Sequence, residues 1–404
     1  MIKACVIGLG KRGTHLLKAV LLKNSDISVV CVCDTYEDRV AAAVKTVRDA
    51  GGDARGFVNW REALGVSGIN AVFIFSDWST HAEISIYAME RGIAVACDVG
   101  CEYSLENCHA LVKTQEKTGT PYMFMENCCY NRDELLATSM VRHGLFGTVV
   151  HCSGAYAHDL REEVSYGLVN RHYRFNNYVN RNCENYPTHE LGPIAKLLDI
   201  NRGNRILTVS SFASKSCGLQ EYISTRSDAT EEMRGAKFKQ GDIITTVLTC
   251  AGGETIQLRL DTTLPRSYDR EFTVRGTKGM YMQTLNAVFL DGEKEYWTPS
   301  EFAKNNLNNA KSYEEKYLPS LWKDVTDEQK QAGHGGMDWF TYKAFVEALK
   351  SGAPMPIDVY DGATWQAVSV LSERSIAEGG APQQMPDFTG GEWMKRPRLD
   401  VCEM

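Results

Sequence analysis

No stretch of about 18 consecutive apolar residues occurs in this 404-residue chain, so nothing in it reads as a membrane-spanning helix. Basic stripes are missing too. The 44 Lys and Arg are scattered among 51 Asp and Glu for a formal charge of -7, which excludes the electrostatic footprint of a nucleic-acid binder or a polybasic membrane anchor. Neither CxxC nor paired Cys/His spacing is present, so no metal is expected. The 13 cysteines are odd in number, and Cys5, Cys31, Cys33 and Cys97 lie inside apolar runs, as small hydrophobes of a reducing compartment do. The opening MIKACVIGLG already reads as strand and turn, leaving no room for a signal peptide, and a cytoplasmic chain is expected. Repeats and low-complexity segments are also missing. What remains, at 43% apolar residues and a length beyond one hydrophobic core, is a two-domain protein acting on a small ligand.

The first half alternates strand and helix. IKACVIGLGKRG is a buried strand running into Gly8, Gly10 and Gly13, followed by a helical run from Thr14 to Leu22. ISVVCVCD is a second strand closing on Asp34, 21 residues after Gly13. That order is the fingerprint of a dinucleotide site: the glycines admit a pyrophosphate to the helix N-terminus and the acid binds the ribose hydroxyls. An acid there repels a 2'-phosphate, so NAD is expected over NADP, with Arg12 and Arg39 as cations that weigh the other way. Further strands at 71–75, 93–97 and 121–125 complete an α/β Rossmann domain, a doubly wound parallel sheet, over residues 1–128. Ligands belong at the carboxyl ends of such strands. SDWSTHAE and ENCCYNRDE lie at two of those ends and bring Trp78, His81, Glu126 and Asn127.

Residues 129–404 read differently. GTVVHCSGAY, ILTVSSFAS, DIITTVLTC, TIQLRLDTT and EFTVRGTKG have strand length and turn signals between them, which predicts an α+β domain with one large, mostly antiparallel sheet. The polar stretch from Asp159 to Arg181 is too irregular for a strand and is expected to be a functional or disordered loop. A helix is expected from Met337 to Ser351, and another from about Ala363 to Ala377. In NCENYPTHELGP the helical pattern is expected to begin three residues after His189, with Pro187 fixing the backbone between a phenol and an imidazole. An imidazole titrates near neutrality, and a phenol serves as acid or base once a nearby cation lowers its pKa.

Together ENCCYNRDELLATSMVRHGLFG, GAYAHDLR, YPTHELGP and HGGMDWFTYKAFVEALKSG resemble the Gfo/Idh/MocA oxidoreductases over nearly the whole chain, and within them the glycoside hydrolase family 109 type, the NAD-dependent α-N-acetylgalactosaminidases. The resemblance implies cofactor contacts at Gly8, Gly10, Arg12, Gly13, Asp34, Trp78, Ser79, Thr80, His81, Asp98, Val99 and Asn127. It implies substrate contacts at Tyr156, Arg174, Tyr186, Pro187, Thr188, His189 and Tyr268, with Tyr186, His189 and Tyr268 catalytic. The implied reaction hydrolyses a glycoside by transient C3 oxidation, C1–C2 elimination, water addition and re-reduction, NAD ending as it began. Three departures stand out. The Glu-Lys-Pro of ordinary dehydrogenases reads Asp98, Val99, Gly100; the family's Glu-Val-Pro is shortened to an aspartate; and Glu190 replaces a glycine beside His189. Other readings are an NAD-dependent sugar or cyclitol dehydrogenase that releases NADH, and a non-catalytic NAD-sensing protein. His158, Asp159, His334 and Asp338 read as supporting or hinge residues. A small-molecule glycoside is the expected ligand, with no nucleic acid or membrane partner, and an open sheet face predicts a homodimer or homotetramer.

Overall fold

The computed structural model describes residues 1–404. By internal contacts they form two compact units, residues 1–130 with 325–366, and residues 131–324 with 367–404. In the first, β1 (Ile2–Ile7), β2 (Ile27–Cys33), β3 (Arg55–Phe57), β4 (Ala71–Ile74), β5 (Ala94–Cys97) and β6 (Tyr122–Phe124) form one parallel sheet in the order β3-β2-β1-β4-β5-β6. This is the Rossmann order, whose direction reverses between β1 and β4 and opens a crevice there. The strands β4 and β5 are buried throughout because helices cover both faces, which is why they read as unbroken apolar runs. Cys5, Cys31, Cys33 and Cys97 are buried and free, packed as small hydrophobes. Helix Met337–Ser351 belongs to this unit although it lies far along the chain; its Tyr342 stacks on Phe73 of β4 and its Phe345 meets the same ring edge-on. Such a return of the chain has no periodic signature.

The second unit holds β7 (Val149–Ala157), β8 (Ile206–Ala213), β9 (Ile243–Cys250), β10 (Thr255–Asp261), β11 (Thr273–Gly276), β12 (Gly279–Met282), β13 (Ala287–Leu290) and β14 (Gln383–Gln384). They pair in the order β13-β12-β11-β7-β10-β9-β8-β14, antiparallel except for β7 with β10. Burial alternates along β9 and β10, so one face packs inward and the other is open.

Two expectations need correction. The stretch Asp159–Arg181 is not a loop but three short helices, Arg161–Ser165, Gly167–Asn170 and Arg174–Asn180, anchored by buried Val164, Phe175 and Tyr178. Its apolar residues are too few and too far apart to show a period, yet they suffice to pin one-turn helices. The helix after Pro187 begins at Thr188, so His189 lies in its first turn and not ahead of it. No helix is long and apolar enough to cross a membrane.

Candidate active site

In the dinucleotide unit the chain leaves β1 at Gly8, whose φ of 92° suits glycine and where a Cβ would stand 2.4 Å from the backbone of Phe75 and Ser76. A Cβ on Gly13 would stand 2.0 Å from the Gly8 carbonyl oxygen. The first turn of helix Lys11–Ala19 is therefore pressed onto the strand end, and Gly10, its N-cap, has no side chain to occupy the N–H groups above it. That is the cradle a pyrophosphate requires. Asp34, buried at the end of β2, is held by two backbone donors: Oδ2 accepts from the Leu9 N–H at 2.7 Å and Oδ1 from the Tyr36 N–H at 3.1 Å. A carboxylate fixed this way keeps lone pairs for a ribose diol.

Of the two cations weighed against NAD, Arg12 is already committed. Its Nη1 and Nη2 each donate to Asp338 at 2.8 Å, and Nε and Nη2 reach Asp98 at 3.3 and 3.4 Å. Arg39 lies over the Tyr36 ring with Nη1 3.7 Å from Asp34. Asp77 caps helix Trp78–Met89 through the Ser79 N–H at 2.8 Å, and Thr80 donates back to the Asp77 carbonyl. Trp78 is buried against Gly100, so its indole fixes the Asp98–Gly100 turn. His81 donates from Nε2 to the Ser76 carbonyl at 3.0 Å, and its buried Nδ1 has no hydrogen-bond partner in the protein. Burial holds this imidazole below its ordinary pKa despite the pull of Asp98, so it is neutral. An orphaned buried acceptor at the carboxyl end of β4 and the glycine cradle at β1 both fit a dinucleotide. Val99 and Asn127 are buried at the ends of β5 and β6, and Asn127 donates to Asp338 at 2.8 Å.

In the second unit the residues foreseen for the sugar form a ring cluster. Tyr156 on β7, Tyr186 ahead of helix Thr188–Leu197 and His189 within it lie mutually close: centroids are 4.4 Å apart for Tyr156 and Tyr186, 4.8 Å for Tyr186 and His189, and 5.4 Å for Tyr156 and His189. The Arg174 guanidinium carbon is 5.0 Å from the centre of the Tyr186 ring, a cation set over a phenol. Spacing alone left Arg171, Arg174 and Arg181 equivalent. Arg181 is bound to Glu373 at 2.7 and 2.9 Å and Arg171 is exposed, whereas Arg174, paired with Glu163 at 3.2 Å, is the one that lies over the Tyr186 ring. The Thr188 hydroxyl is buried with no hydrogen-bond partner in the protein. Pro187 is the helix N-cap and sets the angle between Tyr186 and His189.

Tyr268 is half-exposed. It meets the ring cluster through His158, whose ring stands edge-on to Tyr268 at 5.1 Å and to Tyr156 at 5.9 Å, with Nδ1 3.5 Å from the Tyr156 Oη. Burial, then the charge of Arg174, push His158 below its ordinary pKa against Glu163 and Asp159. A neutral imidazole thus links two phenols, which the sequence reading ranked only as support. Glu184, two residues before Tyr186, is wholly buried; burial pushes its carboxyl up to about 8, opposed by the Tyr186 N–H, so it is protonated at neutral pH. Glu190 is accommodated because Gly154 faces it: a Cβ there would lie 2.8 Å from the Glu190 Cβ.

Residues 2–125 match the model of the oxidoreductase family with an NAD-binding Rossmann fold, and residues 130–395 match the glycosyl hydrolase 109 C-terminal domain. A glycosyl hydrolase family 109 protein of Stenotrophomonas maltophilia is 41% identical, covering 98% of this chain and 90% of the relative. An alpha-N-acetylgalactosaminidase of Tannerella forsythia is 33% identical over 98% of this chain and 88% of its own. Among solved structures, levoglucosan dehydrogenase in complex with NADH and L-sorbose superposes with a TM-score of 0.69 at 17% identity, covering 96% of this chain and all of that one, a likeness of fold.

Proposed function

The chain belongs to the glycosyl hydrolase 109 family within the Gfo/Idh/MocA oxidoreductases and is an NAD-dependent glycosidase, and from that premise we propose that it cleaves α-N-acetylgalactosaminides or closely related hexosides. Residues 1–130 with 325–366 would hold the cofactor, and residues 131–324 with 367–404 would supply the sugar site and the subunit interface. Gly8, Gly10, Arg12, Gly13, Asp34, the segment Trp78 to His81, Asp98, Val99 and Asn127 would hold NAD. When bound, NAD supplies a hydride acceptor for the sugar C3 and returns the hydride at the end of the cycle.

Everything else the reaction needs is proton movement, for which a pair of flanking carboxylates is not required. The C3 hydroxyl must lose its proton. The C2 hydrogen, acidified by the C3 ketone, must go to a base, and the oxygen leaving C1 must be protonated before water adds. His189, Tyr186 and Tyr268 divide these transfers, with Arg174 favouring the phenolate of Tyr186 and Tyr156 packing the sugar against them. The observation that carries this reading is the cluster of Tyr156, Tyr186 and His189 under one guanidinium. A dehydrogenase of the ordinary kind keeps a lysine after the fifth strand; here that position is Val99, next to Asp98, which is paired to Arg12.

The elimination route is tested in heavy water with an aryl α-N-acetylgalactosaminide. Deuterium should enter C2 of the released sugar, because the base exchanges with solvent. Full-rate hydrolysis with no deuterium at C2 and no C2 isotope effect would replace this mechanism by displacement at C1.

The open sheet face supports an oligomer. Val150, Leu207, Phe212 and Val247 are exposed on β7, β8 and β9, more apolar surface on one sheet than a monomer usually leaves in water. A homodimer or homotetramer is expected by light scattering, and a clean monomer at micromolar concentration would remove this part of the proposal.

A further inference from the structure

The dinucleotide unit contains a buried charge cluster whose role goes beyond gripping the cofactor. Asp338, in the first turn of helix Met337–Ser351, is wholly buried. Its two oxygens accept the Arg12 fork, Oδ1 also accepts from the Asn127 Nδ2, and Oδ2 accepts from the His334 Nδ1, all at 2.8 Å. Asp98 contacts the same guanidinium from the other side. Although burial opposes it, the charge of Arg12 with the hydrogen bonds of His334 and Arg12 holds the Asp338 carboxyl well below the usual range. Besides His334, whose Nδ1 pairs with Oδ2, it is faced by Tyr342, a phenol that burial keeps protonated, and by the neutral imidazole of His81 in the same crevice.

Two carboxylates face one guanidinium, so with His334 neutral the cluster carries a formal charge of about -1, and its excess carboxylate, Asp338, is shielded from water, where one charge acts strongly on another. Its place follows from the strand order. Arg12 follows β1, Asp98 follows β5 and Asn127 follows β6, all at carboxyl ends; β1 borders the switch point, and β5 and β6 lie across it from β2, which ends at Asp34. With the adenosine ribose on Asp34, the nicotinamide half belongs to the side of β4, β5 and β6. Oxidised nicotinamide is a cation and reduced nicotinamide is neutral, so a net negative neighbour discriminates between them.

We propose that the cluster of Arg12, Asp98 and Asp338 sets the resting oxidation state of the bound cofactor, favouring NAD+ over NADH, with Asp338 as the positioning residue that supplies the excess negative charge. The inference rests on NAD binding and not on which glycoside is cleaved. It matters to an enzyme that must begin each cycle oxidised, since a subunit left with NADH and no ketone cannot start.

The test is a redox titration of the full-length holoenzyme against a mediator couple, followed at the reduced-nicotinamide absorbance, for wild type, Asp338→Asn and Asp338→Glu. Asp338→Asn should lower the ratio of NAD+ to NADH affinity by about tenfold, a rise in midpoint of about 30 mV for a two-electron couple. Asp338→Glu should bring the midpoint back to wild type even if both cofactor forms bind less tightly. Should Asp338→Asn fail to fold, Asp98→Asn removes the other carboxylate and should move the midpoint in the same direction. A midpoint unchanged in the asparagine variants, with NAD+ and NADH weakened equally, would leave the cluster a mere scaffold and overturn the inference. Wild-type protein that holds no NAD(H) on denaturation and takes up none would instead count against the NAD-dependent reading.

Discussion

Replacing His189 by alanine lowers glycoside turnover by about 10² to 10⁴, the range spanned by a lost proton-transfer group, and leaves NAD affinity close to wild type. The split is expected because His189 belongs to the ring cluster of the second unit, while every group assigned to the pyrophosphate and ribose lies in the dinucleotide unit. Tyr186→Phe should cause a similar fall by a cleaner change. It keeps the ring that packs on Tyr156 and under Arg174 and deletes only the hydroxyl. Steady-state rates on an aryl glycoside, paired with calorimetric NAD titration, separate chemistry from binding. A His189→Ala enzyme with near-normal turnover would remove the centre of the proposed mechanism.

Asp34→Ala should weaken NAD binding by about 10² to 10⁴. Two charge-assisted hydrogen bonds to a ribose diol are worth about 1.5 to 3 kcal/mol each, and about 1.4 kcal/mol is a factor of ten. The structure adds a second reason: the substitution strips the acceptor from the Leu9 and Tyr36 N–H groups and loosens the turn beside the glycine cradle. Asp34→Asn, which keeps one oxygen, should fall between. Fluorescence titration of cofactor-stripped protein reads the effect, and an affinity equal to wild type would mean that another group takes the ribose.

How far the sequence reached differs between the two units. Gly8, Gly13 and Asp34 were legible because a dinucleotide cradle is local: one strand, one turn and one helix start write it within about thirty residues. The pairing of Tyr186 with His189 was legible for the same reason, being held within four residues by Pro187. The short helices at 161–180 were not, since each is pinned by contacts distant in sequence and shows no apolar period of its own. Arg174 could not be told from Arg171 and Arg181 by spacing, because what singles it out is Glu373 taking Arg181 and the Tyr186 ring lying under Arg174.

By itself, then, the sequence determined the two fold classes, the cofactor fingerprint and the closeness of Tyr186 to His189, all of which rest on periodicity and short-range geometry. The tertiary structure alone decided that His158 links Tyr156 to Tyr268, that Glu190 has room beside Gly154, and that Arg12 is claimed by Asp98 and Asp338. Arg12 and Asp338 are 326 residues apart. Charge pairing over such a separation leaves no pattern in a chain, because it depends on which distant segments fold into one core.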